Sequence, residues 1–82
     1  MKNLLTLHEA IVLALINNDN RSGTFDDIAE FIKTRNLFPI RKEGISLSKQ
    51  VMLRSTKSKK RYLYLFEEID SNIIRLRNLP LK

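Results

Sequence analysis

Tyr62-Leu63-Tyr64-Leu65-Phe66-Glu67-Glu68-Ile69-Asp70-Ser71-Asn72-Ile73-Ile74-Arg75-Leu76-Arg77 is the stretch in which the chain changes its period. Tyr62 to Phe66 have the aromatic flavour of a strand. Asp70-Ser71-Asn72 is a turn triplet, because short polar side chains bond their own backbone there. Ile74 and Leu76 then alternate with Arg75 and Arg77, the period of a half-buried strand. The C-terminal part therefore reads as a hairpin.

Upstream, three segments read as helix. Thr6-Leu7-His8-Glu9 is a capping box, in which the threonine hydroxyl and the glutamate satisfy each other's backbone donors. Leu7, Ala10, Ile11, Ala14 and Leu15 follow at the spacing of a core-facing stripe, and the helix should end near Asn17 and Asn18. Val12, Leu13 and Ile16 fall on its other side. Two readings stand for these three: cover by Leu4, Leu5 or the C-terminal hairpin, or a self-association or partner face.

Thr24-Phe25-Asp26-Asp27 starts a second helix, with acids in the first turn to suit the dipole. Phe25, Ile28, Ala29 and Ile32 form its inner stripe and Asp26, Glu30 and Lys33 its outer one. It should end around Asn36, ahead of Pro39. Arg41-Lys42-Glu43-Gly44 reads as an exposed turn. Ser46 then caps a third helix running to about Thr56 or Lys57, with Leu47 and Val51 inward. Helix, helix, helix, hairpin is the order of a winged helix-turn-helix, an α+β fold. A short strand around Ser22 to Thr24 would add a third member to the sheet.

Eighty-two residues, 43% apolar and 29% charged, suit one domain with a modest core. The absence of cysteine removes disulfides, thiolate metal sites and cysteine nucleophiles. The first residues lack a signal-peptide pattern, and the longest apolar run, Ala10 to Ile16, is far short of a bilayer span. A soluble, cytoplasmic protein without membrane contact is the expectation.

Charge is unevenly placed. Arg41, Lys42, Lys49, Arg54, Lys57, Lys59, Lys60 and Arg61 face one acid, Glu43, giving +7 in that stretch against +6 for the chain. Such a local field is the footprint of a surface that meets phosphate. With Leu47 and Val51 inward, Lys49, Gln50 and Met52 point outward or to the flanks. Gln pairs with adenine and Lys with guanine in the major groove. The cations from Lys57 to Arg61 would lie along the backbone and supply position. Arg54 has two readings, a phosphate contact or a stem covering the base of helix 3. For the cluster as a whole, a solvated face and an acidic protein partner are the alternatives. Arg75 and Arg77 lie on one face of the last strand, to touch a sugar–phosphate strand or to pair with Glu67 or Glu68. Tyr62 and Tyr64 have hairpin packing or base stacking open to them.

The order of motifs resembles the HARE-HTH-like winged helices, found in bacterial RNA polymerase delta subunits, in chromatin proteins and beside restriction endonuclease modules. Thr6-Leu7-His8-Glu9-Ala10-Ile11 is similar to their opening, and Phe25-Asp26-Asp27-Ile28-Ala29-Glu30-Phe31-Ile32 with Arg35-Asn36-Leu37-Phe38 to their second helix and its exit. Ser48-Lys49-Gln50-Val51-Met52-Leu53-Arg54 is similar to the third helix, and Leu65-Phe66-Glu67 with Ile74-Arg75-Leu76 to the wing. The resemblance covers about residues 6 to 77. It implies a winged helix with a DNA-related role. Two features depart from the pattern: the link from Lys57 to Tyr64 is long, and the wing turn carries Glu67, Glu68 and Asp70.

Catalysis has little support. His8 is the one histidine, at a helix start with no evident partner for general acid–base work. Ser48 and Lys49 are neighbours and do not face each other on a helix. Gly23 and Gly44 are isolated turn glycines rather than a phosphate loop, and Asp26 and Asp27 serve the helix dipole. The sequence thus points to a non-enzymatic DNA-binding domain, concerned with transcription or another DNA transaction. It would dock helix 3 on double-stranded DNA, with no cofactor, metal or small-molecule substrate. The alternative is a protein-interaction or homodimerisation module of the same fold.

Overall fold

The computed structural model describes residues 5–39, 44–55 and 65–77. It is a small α+β domain of three helices and a three-stranded antiparallel sheet. The order is α1 (Leu7–Asn17), β1 (Ser22–Thr24), α2 (Phe25–Thr34), α3 (Leu47–Ser55), β2 (Phe66–Asp70) and β3 (Ile73–Leu76). The sheet order is β1-β3-β2, so the last strand lies in the middle.

Each helix starts where a side-chain oxygen replaces a missing partner. Glu9 N–H donates to Thr6 Oγ1 at 3.3 Å, and Thr6 N–H donates to Glu9 Oε1 at 2.8 Å, a closed capping box. Asp27 N–H donates to Thr24 Oγ1 at 3.0 Å, and Lys49 N–H to Ser46 Oγ at 3.1 Å. Each such cap contributes about 1 kcal/mol. The end of α2 is equally defined. Asn36 has φ +53, and Leu37 N–H and Asn36 N–H return to Ile32 O and Lys33 O, the bond pair of a Schellman motif.

The apolar stripes of α1 and α2 are the core. Leu7, Ala10, Ile11, Ala14 and Leu15 meet Phe25, Ile28, Ala29 and Ile32, with Val51 from α3 and Phe66, Ile74 and Leu76 from the sheet. Val12 is half-buried and packs on this core, whereas Leu13 and Ile16 are exposed. The proposed trio of outward apolar residues therefore reduces to two. Val12 lies beside the buried Ile11, where the helix still faces its neighbours.

The short strand at Ser22–Thr24 forms and pairs with β3, placing Ser22 opposite Arg75 and Gly23 opposite Ile74. Gly23 is thus a strand residue and not a turn glycine. A Cβ on it would come within 2.9 Å of Asn18 Nδ2, whose amide donates to Ser22 O at 3.0 Å. Gly44, with φ +83, is the turn glycine. In the hairpin, the described strand begins at Phe66 and runs through the acids to Asp70, later than the aromatic run suggested. Tyr62 and Tyr64 lie outside the described residues. A register shift between Glu68 and Asp70 absorbs one extra residue before the turn.

Candidate nucleic-acid interface

The third helix is fixed on one side and open on the other. Val51 and Ser55 are fully buried, and Leu47 and Met52 pack against the core from its edges. Ser55 satisfies its hydroxyl locally by donating to Met52 O at 3.2 Å. A cross-helix bond sets the helix's height on α2: Ser48 Oγ–H donates to Asp26 Oδ1 at 2.6 Å. Sequence reading gives Asp26 a helix-dipole role and Ser48 no partner, and it does not show this bond because the two residues are 22 positions apart.

Lys49, Leu53 and Arg54 are exposed on this helix, which contains no acid. Among the described residues no carboxylate lies within ion-pair distance of Lys49 or Arg54. At about 100° per residue, Lys49 and Leu53 each lie about 160° from Val51, and so at the outer pole of the helix. Arg54 is only about 60° from Val51 by the same count, so it leaves along the flank. That flank faces α1: the Arg54 charge reaches His8 and disfavours its protonation. His8 is held below its ordinary value mainly by partial burial, with Glu9 pulling the other way and Arg54 adding to the depression. Glu9 is itself lowered, first by the Thr6 N–H and then by the Thr6 hydroxyl.

Gln50 is placed differently from the expected reading residue. It is half-buried, and its Nε2 donates to Ile45 O at 3.0 Å, bracing the turn that leads into α3. A side chain so engaged must surrender that bond before it can address a base. Met52 is drawn toward the core in the same way. Leu53, which the sequence reading did not single out, occupies the outward position instead. Its signal was present, since it sits four residues after Lys49.

Arg41, Lys42, Lys57, Lys59, Lys60 and Arg61 lie outside the described residues. Arg75 does not. It stands directly opposite Glu67 across the β2–β3 pair and forms an ion pair with it. Arg77 Nη1 reaches the other oxygen of the same carboxylate at 3.3 Å. Of the two readings for this arginine face, cross-strand pairing is the one the strand register produces. The carboxylate thus gathers both guanidiniums over the outer face of the sheet.

The remaining exposed apolar groups are Leu13, Ile16 at 57% exposure and Ile69 at 50%. Ile16 and Ile69 line one open groove, together with Asn18, Arg21, Glu67 and Arg75. Asn20 and Arg21 at its rim both have positive φ, +58 and +53. Among the described residues no group of three or more His, Asp or Glu is placed to hold a metal ion. No described helix is long and apolar enough to cross a membrane. No family model, curated protein or solved structure matches the chain.

Proposed function

We propose that this chain is a non-enzymatic winged-helix domain that binds double-stranded DNA in transcription or another DNA transaction. In this reading α3 enters the major groove and β2–β3 is the wing. The observation that carries it is the asymmetry of α3: its inner side is pinned by Val51, Ser55 and the Ser48–Asp26 bond, while its outer side presents Lys49 and no acid of its own, with Arg54 exposed on the adjoining flank. Lys49 is the base-edge contact, since an ammonium at the outer pole can reach guanine O6 or N7. Arg54 meets phosphate on the α1 flank. Arg41, Lys42, Lys57, Lys59, Lys60 and Arg61 flank α3 in sequence and supply further phosphate contacts, which position the helix without reading sequence. The helix–strand–helix–helix–hairpin order and the pairing of β1 with β3 support the winged-helix assignment. The acids of β2 keep the wing tip off the duplex.

Anisotropy titration of a short labelled duplex tests this. Binding at low salt is expected, with a log–log slope near −4 to −5 if about five cations meet phosphate at roughly −0.9 each. Absence of binding at low salt would remove the reading.

A second reading, a protein-interaction or homodimerisation module, is favoured by Leu13, Ile16 and Ile69, which put aliphatic surface in solvent. Sedimentation of the chain and of Ile16→Asp decides it. A dimer that the substitution dissociates supports self-association, and a monomer unaffected by it rejects that form of the reading.

A further inference from the structure

On α3 the outer pole is shared by one cation and one aliphatic side chain. Lys49 and Leu53 are four residues apart and about 40° apart around the axis. They are separated by about 6 Å along it. Leu53 is 37% exposed although it belongs to a helix with a buried face available two positions away at Val51. Gln50 and Met52, the other side chains near that pole, are withdrawn toward Ile45 and the core respectively. What remains to meet a ligand is a donor next to a methyl-rich surface, on an element without negative charge.

In the major groove that pair matches a particular combination. Guanine presents two acceptors to a lysine, and thymine presents a C5-methyl to an apolar side chain. Adenine offers a donor and acceptor side by side, best met by an amide, and the Gln50 amide is already engaged at Ile45. A spacing of about 6 Å covers close to two base-pair steps at about 3.4 Å each. We infer that Lys49 and Leu53 together set sequence preference, selecting a guanine with a thymine within two base-pair steps, and that Leu53 is the residue that detects the thymine methyl. This rests on the DNA-binding reading above and specifies the half of the contact that charge does not determine.

The experiment is selection from a duplex library with a randomised core, using the whole chain, followed by anisotropy on the enriched duplex with each thymine replaced in turn by deoxyuridine. That replacement removes one methyl group and nothing else. The expected result is an enriched guanine–thymine pair at this spacing, and one deoxyuridine position that weakens wild-type binding about fourfold, the loss of one buried methyl contact. Leu53→Ala should bind the thymine and deoxyuridine duplexes equally, while keeping the wild-type salt slope and melting temperature. Duplex binding with the expected salt slope but no deoxyuridine effect, or an effect that Leu53→Ala leaves in place, overturns this inference alone. No duplex binding at low salt overturns it together with the DNA-binding reading.

Discussion

The third helix and the outer face of the sheet each carry two described cations, yet those cations stand in different surroundings. Lys49 and Arg54 stand on an acid-free helix. Arg75 and Arg77 converge on one carboxylate, Glu67, that the strand register places directly opposite Arg75. Counting charge along the chain treats all four as equivalent. What separates them is the period of the element. A strand brings residues from its neighbour within pairing distance, so an acid on one strand offsets part of the charge on the next. A helix brings together only residues three and four apart, and α3 has no acid at those spacings.

The largest expected effect comes from removing the support of one face. Phe66 is fully buried beneath β2 and faces Leu76 across the sheet. Phe66→Ala should cost about 3–5 kcal/mol, read by chemical denaturation, a large part of the stability of a domain this size. A smaller loss would mean that β2 holds Glu67 in register by other contacts.

Glu67→Gln separates the two faces more directly. Ion pairs this exposed contribute about 0–1 kcal/mol, so stability should change little. Duplex affinity at low salt should rise a few-fold as Arg75 and Arg77 lose their carboxylate and become available to phosphate. Unchanged affinity would show that the β2–β3 hairpin lies too far from the duplex for its charge to count.

The smallest effect lies at the start of α1, on the flank Arg54 shares. Glu9 is ionised more readily in the fold than its ordinary value implies, because Thr6 donates to it. Its contribution is therefore present above the ordinary carboxylate range and lost as pH falls through the lower folded value. His8 has the same sign. Its folded value is depressed by burial, so its unfolded form takes the proton first and stability falls on acidification below the ordinary histidine range. Thermal melting from neutral to acid pH should show a shallow decline that Glu9→Gln flattens at its acid end. An identical profile in the variant would place the acid sensitivity elsewhere.

Much of the fold was legible because it is periodic. The stripes of α1 and α2, the three caps and the alternation of Ile74 and Leu76 with arginines depend on residues a few positions apart, and all are found where the sequence puts them. Even the short strand at Ser22–Thr24 was visible in outline. What was not legible is non-local. The Ser48–Asp26 bond joins two helices, and the pairing of Gly23 with Ile74 joins β1 to a strand from the C-terminal part of the chain. At the candidate interface, Gln50 has the residue type of a base reader, and nothing in the neighbouring letters shows that its amide folds back to Ile45. Arg75 offered two partners, and only strand register decides between them.

The most direct test of the proposal that α3, and not the β2–β3 hairpin, meets nucleic acid is the salt dependence of duplex binding for two paired variants. Lys49→Ala/Arg54→Ala should lower affinity and make the log–log slope shallower by about 0.9, the one phosphate contact of Arg54, while Arg75→Ala/Arg77→Ala should leave the slope unchanged. A slope that falls in the β3 pair and holds in the α3 pair would contradict the account.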